Sequence, residues 1–278
     1  MFYSIGIQII YIFILGACVG SFLNVVSLRL PKKKSSIFPR SSCNTCNKKL
    51  NPIDLIPIIS WLYLKGKCRY CNTKLSLRYP LIELITAILF VLCIKSNGFI
   101  SEDSFVFFDL ISGWILVSYL ILLAIIDIDL MILPNSLTFT GSIIAFFLII
   151  FNNYFFNNFS ELFFIEHLYA YLIGLFGIYI FSYIVNFIFN KPAFGFGDAK
   201  LFAMSGAWLG LSGLEVIITL SFLLAGIFVF IGFTFKSIRR GDYIPFGPFI
   251  CISTFLVWIF SSDFWIDTLD NIFWWKFI

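Results

Sequence analysis

The sequence predicts an all-α, multi-pass membrane protein of about eight transmembrane helices, with a cytoplasmic metal-binding loop domain between the first and second. Three observations carry that expectation. The chain is 60% hydrophobic and 12% charged over 278 residues, whereas a soluble domain carries roughly 25% charged residues. Apolar stretches approaching the ~20 residues that cross a bilayer recur along its length. The basic residues are also unevenly spread: 12 of the 19 Lys and Arg fall within 29–79, where Asp54 is the only acid.

Taken in order, the candidate spans lie near 5–28, 80–95, 105–126, 136–152, 167–190, 199–213, 215–235 and 247–262. The first stretch, Ile5 to Val26, lacks the basic start and small-residue cleavage site of a secretory signal. Its Gly16, Gly20, Ser21 and Asn24 suit helix packing, so it is expected to be retained as a span. The resulting organisation is a first helix over 1–28, a loop domain over 29–79 and a helical bundle over 80–278. Positive-inside bias places the basic loop in the cytoplasm. Alternation then puts Lys191, Lys200, Lys236, Arg239 and Arg240 on that side. Glu102, Asp103, Glu161, Glu166, Asp263, Asp267 and Asp270 fall on the outer side, with both termini outside. Asn-rich 152–158 is expected as an outer loop. Basic residues beside a membrane suit topology and anionic headgroups. No nucleic-acid partner is expected, since the charge comes with no nucleic-acid-binding fold.

Within the loop, Cys43 and Cys46, then Cys68 and Cys71, form Cys-x2-Cys twice. Two intervening residues let one turn supply two corners of a tetrahedron, and two such turns about 20 residues apart match a zinc ribbon. Asn44, Asn47, Asn72 and Lys48 suit the turns, and a cytoplasmic setting disfavours structural disulfides. Four thiolates close the coordination sphere, so the expected zinc is structural. Cys18, Cys93 and Cys251 fall in spans and are expected as packing residues.

Acids at membrane depth are costly and tend to mark function. Asp127 and Asp129 close the third span, ahead of Leu133-Pro134-Asn135. Gly195-Phe196-Gly197-Asp198-Ala199-Lys200 opens the sixth, on the same side. Paired carboxylates do not both ionise readily, so one keeps a proton; one then acts as base on water while the other polarises a carbonyl. A helix end or an N-cap is the plainer use of each acid taken singly. The only histidine, His167, is expected at the outer interface, which removes histidine-based nucleophilic chemistry from the cytoplasmic face. No H-E-x-x-H is present for a metalloprotease.

These blocks together resemble the bacterial type IV prepilin peptidases over nearly the whole chain. The similar segments are Gly20-Ser21-Phe22-Leu23-Asn24-Val25 with Arg29-Leu30-Pro31, the cysteine tetrad, Arg78-Tyr79-Pro80 with Glu83, Asp127-Ile128-Asp129 with Leu133-Pro134, and Phe194 to Leu201. Gly206-Ala207-Trp208-Leu209-Gly210 and Pro245-Phe246-Gly247-Pro248-Phe249 complete them. The resemblance implies Asp127 and Asp198 as the catalytic pair, supported by Asp129, Gly195, Gly197 and Lys200. Asn135 departs from the pattern, since many relatives carry an acid there. The resemblance also implies a bacterial inner-membrane enzyme that cuts a short basic leader from prepilins or pseudopilins. It further implies N-methylation of the new amino terminus with S-adenosylmethionine. Gly20, Asn24, Arg78 and Glu83 are candidates for a substrate or cofactor face, and Glu83 for receiving the basic leader. A GxGD protease with other substrates, a zinc-clamped assembly protein and a transporter are the alternatives. The loop and the Gly20–Val25 block separate the first, the paired aspartates the second, and acids near one face rather than the midplane the third.

Overall fold

The computed structural model describes residues 2–35, 37–43, 45–94, 104–155, 161–189, 195–239 and 242–273. Asn44, Glu102, Asp103, Lys191, Phe194, Arg240 and part of the expected 152–158 loop (156–158) lie outside the described residues. Helices account for nearly all regular structure: α1 (Phe2–Arg29), α2 (Ile59–Tyr63), α3 (Arg78–Leu92), α4 (Ser104–Leu130), α5 (Asn135–Phe155), α6 (Glu161–Leu172), α7 (Ile178–Phe189), α8 (Phe196–Thr234), α9 (Gly247–Phe260) and α10 (Ser262–Phe273). Two isolated antiparallel bridges are the only strand-type pairing among the described residues. The chain divides into two compact units, Met1–Leu122 and Leu123–Ile278.

Five helical segments are long and apolar enough to cross a membrane, and the α9–α10 pair, bent by 104°, makes a sixth if taken as one span. The expected count of eight is reached only by adding α3, which has 15 residues, and by dividing α8. A straight helix of 39 residues would be ~58 Å long, about twice the ~30 Å hydrocarbon core. α8 is in fact broken at Gly210, where φ is +73° and ψ −172°. The break falls at Gly210 rather than at 214, because glycine alone reaches that backbone region without strain. Phe107, Phe147, Phe187 and Phe230 stay exposed on these helices, as lipid-facing side chains do.

In the first unit α1 and α3 form one seam. A Cβ on Gly16 would lie 2.8 Å from Ala87 Cα, and one on Gly20 2.9 Å from Glu83 Cα, the close approach that small residues allow between membrane helices. Asn24 Nδ2 donates to the Tyr79 carbonyl at 3.2 Å and Arg78 donates to Ser27 Oγ at 3.2 Å. Phe90 stacks on Trp114 of α4, and the Trp114 indole donates to the Phe90 carbonyl at 3.1 Å.

In the second unit α8 is the central helix, packed by α5, α6 and α9. Gly174, in a π-helical turn between α6 and α7, comes so close to Ala203 that a Cβ would lie 2.8 Å from its Cα; Gly206 meets the Ala170 carbonyl likewise. Ser205 and Thr254 share a buried hydroxyl–hydroxyl bond of 2.8 Å. His167 corrects the expectation of an interfacial residue: it is buried, and its Nδ1 lies 2.9 Å from the Ala207 carbonyl. Beside it Glu166 Oε1 accepts the Leu211 N–H at 3.3 Å. Breaking α8 frees carbonyls before Gly210 and N–H groups after it, and this Glu-His pair takes up one of each.

Candidate active site and metal centre

Asp127 lies in the last turn of α4 and is 5% exposed. Its Oδ2 accepts the N–H of Gly247 at 2.9 Å, from 120 residues further along. Gly247 is the first residue of α9 and is followed by Pro248. N–H groups of a first helical turn have no partner inside their own helix, and their partial positive charge suits a carboxylate. Any side chain there would crowd the carboxylate, since a Cβ would sit 2.6 Å from Asp127 Oδ2.

Asp198 is the third residue of α8, and its Oδ2 accepts the Gly195 N–H at 3.1 Å. This is the side-chain half of a capping box, so the plainer helix-start use of Asp198 is realised in part. It is compatible with chemistry, because one backbone bond leaves further lone pairs on the carboxylate. Asp127 stands near enough for its charge to act on Asp198. Each carboxylate is therefore held by one backbone N–H at a helix start.

The supporting residues separate by position. Gly197 admits Leu133 against the start of α8, where a Cβ would lie 3.2 Å from Leu133 Cβ. Lys200 Nζ donates to Asn135 Oδ1 at 2.6 Å and lies 4.1 Å above the Phe196 ring. The two acid-bearing blocks are thus joined at Leu133–Gly197 and at Asn135–Lys200, and the amide at 135 keeps the contact that an acid would make. Asp129 is exposed and, two residues on, points about 200° around α4 from Asp127. Sequence reasoning quoted Gly247 within its motif but gave it no role; an N–H partner 120 residues away leaves no local signal.

The loop domain holds the second site. Cys43, Cys46, Cys68 and Cys71 bring their sulfurs within 4.8 Å of one another. Cys43 and Cys71 are 3.8 Å apart, which is about the edge of a tetrahedron with metal–sulfur bonds of ~2.3 Å. Its two halves are built alike, 25 positions apart. Cys43 N–H donates to Lys48 O and Cys68 N–H to Thr73 O, while Asn47 N–H returns to Cys43 O and Asn72 N–H to Cys68 O. Asn47 and Asn72 take φ of 54° and 56°, the left-handed region that asparagine tolerates. The N–H groups of Cys46 and then Thr45 point at the Cys43 sulfur and pull its thiol down to about 6. A thiolate is the form that binds a metal. The cluster could hold a metal ion, and the donor set suits zinc.

Gly20, Asn24, Arg78 and Glu83 all come together in the α1–α3 seam. Glu83 is buried, and its Oε2 accepts the Ile58 N–H at 2.7 Å. The Ile58 N–H thus occupies one lone pair of the carboxylate that is the candidate for receiving a basic leader.

The fold and site together define a helical multi-pass membrane protein with aspartates at two helix ends and a four-cysteine cluster that could hold a metal ion. Residues 14–96 match the bacterial peptidase A24 N-terminal domain and residues 114–230 the type IV leader peptidase family. The chain is 30% identical to the prepilin leader peptidase/N-methyltransferase of Aeromonas salmonicida, over 91% of this chain and 90% of that one. The Bacillus subtilis protein of the same name is 32% identical, over 91% and 94%. That of Myxococcus xanthus is 38% identical over 72% of this chain, a match spanning 56% of that protein. No solved structure matches the chain. The chain belongs to the type IV leader peptidase family.

Proposed function

We propose that this protein removes the leader from type IV prepilins or pseudopilins and N-methylates the amino terminus so exposed. The observation that carries the peptidase reading is the convergence of Asp127 and Asp198, each on a backbone N–H, in a chain of the leader peptidase family. Asp127 and Asp198 share one proton, as closely placed carboxylates do. The ionised member takes a proton from water, and the water oxygen attacks the scissile carbonyl while the protonated member donates to the carbonyl oxygen. The tetrahedral intermediate collapses with the C–N bond breaking and the proton passing to the leaving amine. Gly247, Gly195, Leu133–Gly197 and Asn135–Lys200 hold the two carboxylates in register.

Residues 1–28 serve as the first span, 29–79 as the zinc domain and 80–278 as the bundle that carries the aspartates. Zinc on Cys43, Cys46, Cys68 and Cys71 would fix the loop and leave no open position for a reactant. S-adenosylmethionine enters as the consumed methyl donor; Gly20, Asn24, Arg78 and Glu83, which meet in the α1–α3 seam, are the candidates for a substrate or cofactor face. The protein resides in the bacterial inner membrane with the aspartates facing the cytoplasm, which the basic loop supports. Incubating the purified protein with a prepilin in detergent tests the reading. Loss of the leader mass, then a gain of about 14 Da (CH3 in place of H, a net CH2) with S-adenosylmethionine, is expected. An uncut prepilin would refute it.

A further inference from the structure

The loop domain carries an apolar surface that the metal centre does not explain. Ile53, Leu55, Ile56, Ile59, Leu62 and Tyr63 are all exposed, Ile59 at 65% and Tyr63 at 78%. Ile59, Leu62 and Tyr63 share one face of α2, at positions i, i+3 and i+4. Water is a poor solvent for such a face.

The position of this surface along the membrane helices is fixed by one bond. Pro57–Ile59 forms a γ-turn in which Ile59 N–H donates to the Pro57 carbonyl, with Ile58 at φ 60° and ψ −53°. That region is strained for a β-branched residue. The turn leaves the Ile58 N–H pointing outward, and Glu83 Oε2 accepts it at 2.7 Å. Glu83 in turn packs against Gly20, nine residues inside the Arg29 end of α1, or ~14 Å along the helix axis. The Glu83 side chain leans back toward the start of α3, so the turn lies somewhat nearer the Arg29 end than Gly20 does. α1 is itself a candidate span from Gly6 to Lys32. The turn therefore lies below the rim of the span, at a level where an unpaired backbone N–H would be costly. Exposed Lys65 and Lys67 stand two and four residues beyond Tyr63, an order of apolar, aromatic and basic residues that suits the passage from acyl chains to anionic headgroups.

We propose that residues 53–63 are a membrane-interface segment, with Ile53, Ile56, Ile59, Leu62 and Tyr63 seated at the headgroup–acyl boundary and Lys65 and Lys67 on anionic headgroups. Glu83 then serves as the backbone partner that lets a strained turn enter lipid. The occupant is lipid of the membrane that α1 crosses, and not a protein.

The test places a photoreactive phenylalanine at Tyr63, at Leu62 and, as a reference on the second cysteine turn, at Asn72. The full-length protein is reconstituted in phosphatidylglycerol–phosphatidylethanolamine nanodiscs, with retained metal content reporting a folded loop. After irradiation, phospholipid-mass adducts are expected at positions 63 and 62 in roughly tenfold excess over 72, as for a face buried ~5–10 Å into the boundary. Adducts only to protein, whether this chain or an added pilin, would overturn the proposal. So would equal lipid labelling at 72, or no lipid adduct at either position.

Discussion

Gly247→Ala perturbs the Asp127 site through a single methyl group. The added Cβ would stand 2.6 Å from Asp127 Oδ2, 3.0 Å from its Cγ and 3.3 Å from its Cβ. Ordinary contact with carbon needs about 3.5 Å, so the carboxylate or the start of α9 must retreat by nearly 1 Å. Asp127 is 5% exposed and set in a packed helix end, which leaves little room for the move without breaking the 2.9 Å bond to the Gly247 N–H. A displacement of about 1 Å at a reacting group costs on the order of 10²-fold in rate, or about 2.7 kcal/mol of transition-state stabilisation. The assay is prepilin cleavage under single-turnover conditions, with thermal unfolding in detergent as a check on folding. The predicted result is a folded variant with cleavage slowed by about two orders of magnitude. A folded Gly247→Ala that cuts within about twofold of wild type would show that the Gly247 bond does not position Asp127.

Three further outcomes follow from other contacts. Cys43→Ser removes one corner of the tetrad and should abolish bound zinc, measured by elemental mass spectrometry, since structural metal binding and loop folding are coupled. Glu166→Ala leaves the Leu211 N–H at the break in α8 without its carboxylate; the loss of a cap of about 1 kcal/mol should lower the unfolding midpoint by about 2–4 °C. Glu83→Gln should slow cleavage of basic leaders selectively, because the Ile58 N–H occupies only one lone pair of that carboxylate; unchanged cleavage of leader-charge variants would remove Glu83 as the candidate for receiving the leader.

What the sequence disclosed divides along the range of the interaction. The cysteine turns were legible because each is local: Cys-x2-Cys with asparagine in the left-handed position closes its own hydrogen bonds within a few residues. Asp198 at a helix start was legible for the same reason, through its neighbour Gly195. The two acid blocks were legible as helix ends, and the contacts that join them, Leu133 to Gly197 and Asn135 to Lys200, lie inside the blocks themselves. Gly247 was quoted without a role, because its function exists only where α9 meets α4. His167 was misread because a polar residue near a span end is ordinarily interfacial, whereas here the break at Gly210 creates the carbonyl it bonds. Hydropathy runs evenly through Leu209-Gly210-Leu211, so the break could be expected but not located.

The most direct test of the central claim is product-mass analysis of prepilin cleavage by Asp127→Asn, Asp198→Asn and Asp129→Asn beside wild type, each shown to be folded. The dyad account predicts no leader removal by the first two and near wild-type removal by Asp129→Asn, whose side chain is exposed on another face of α4. Retained cleavage by Asp127→Asn together with loss in Asp129→Asn would transfer the role to the wrong-facing acid and contradict the geometry. Cleavage by all three would end the aspartic mechanism.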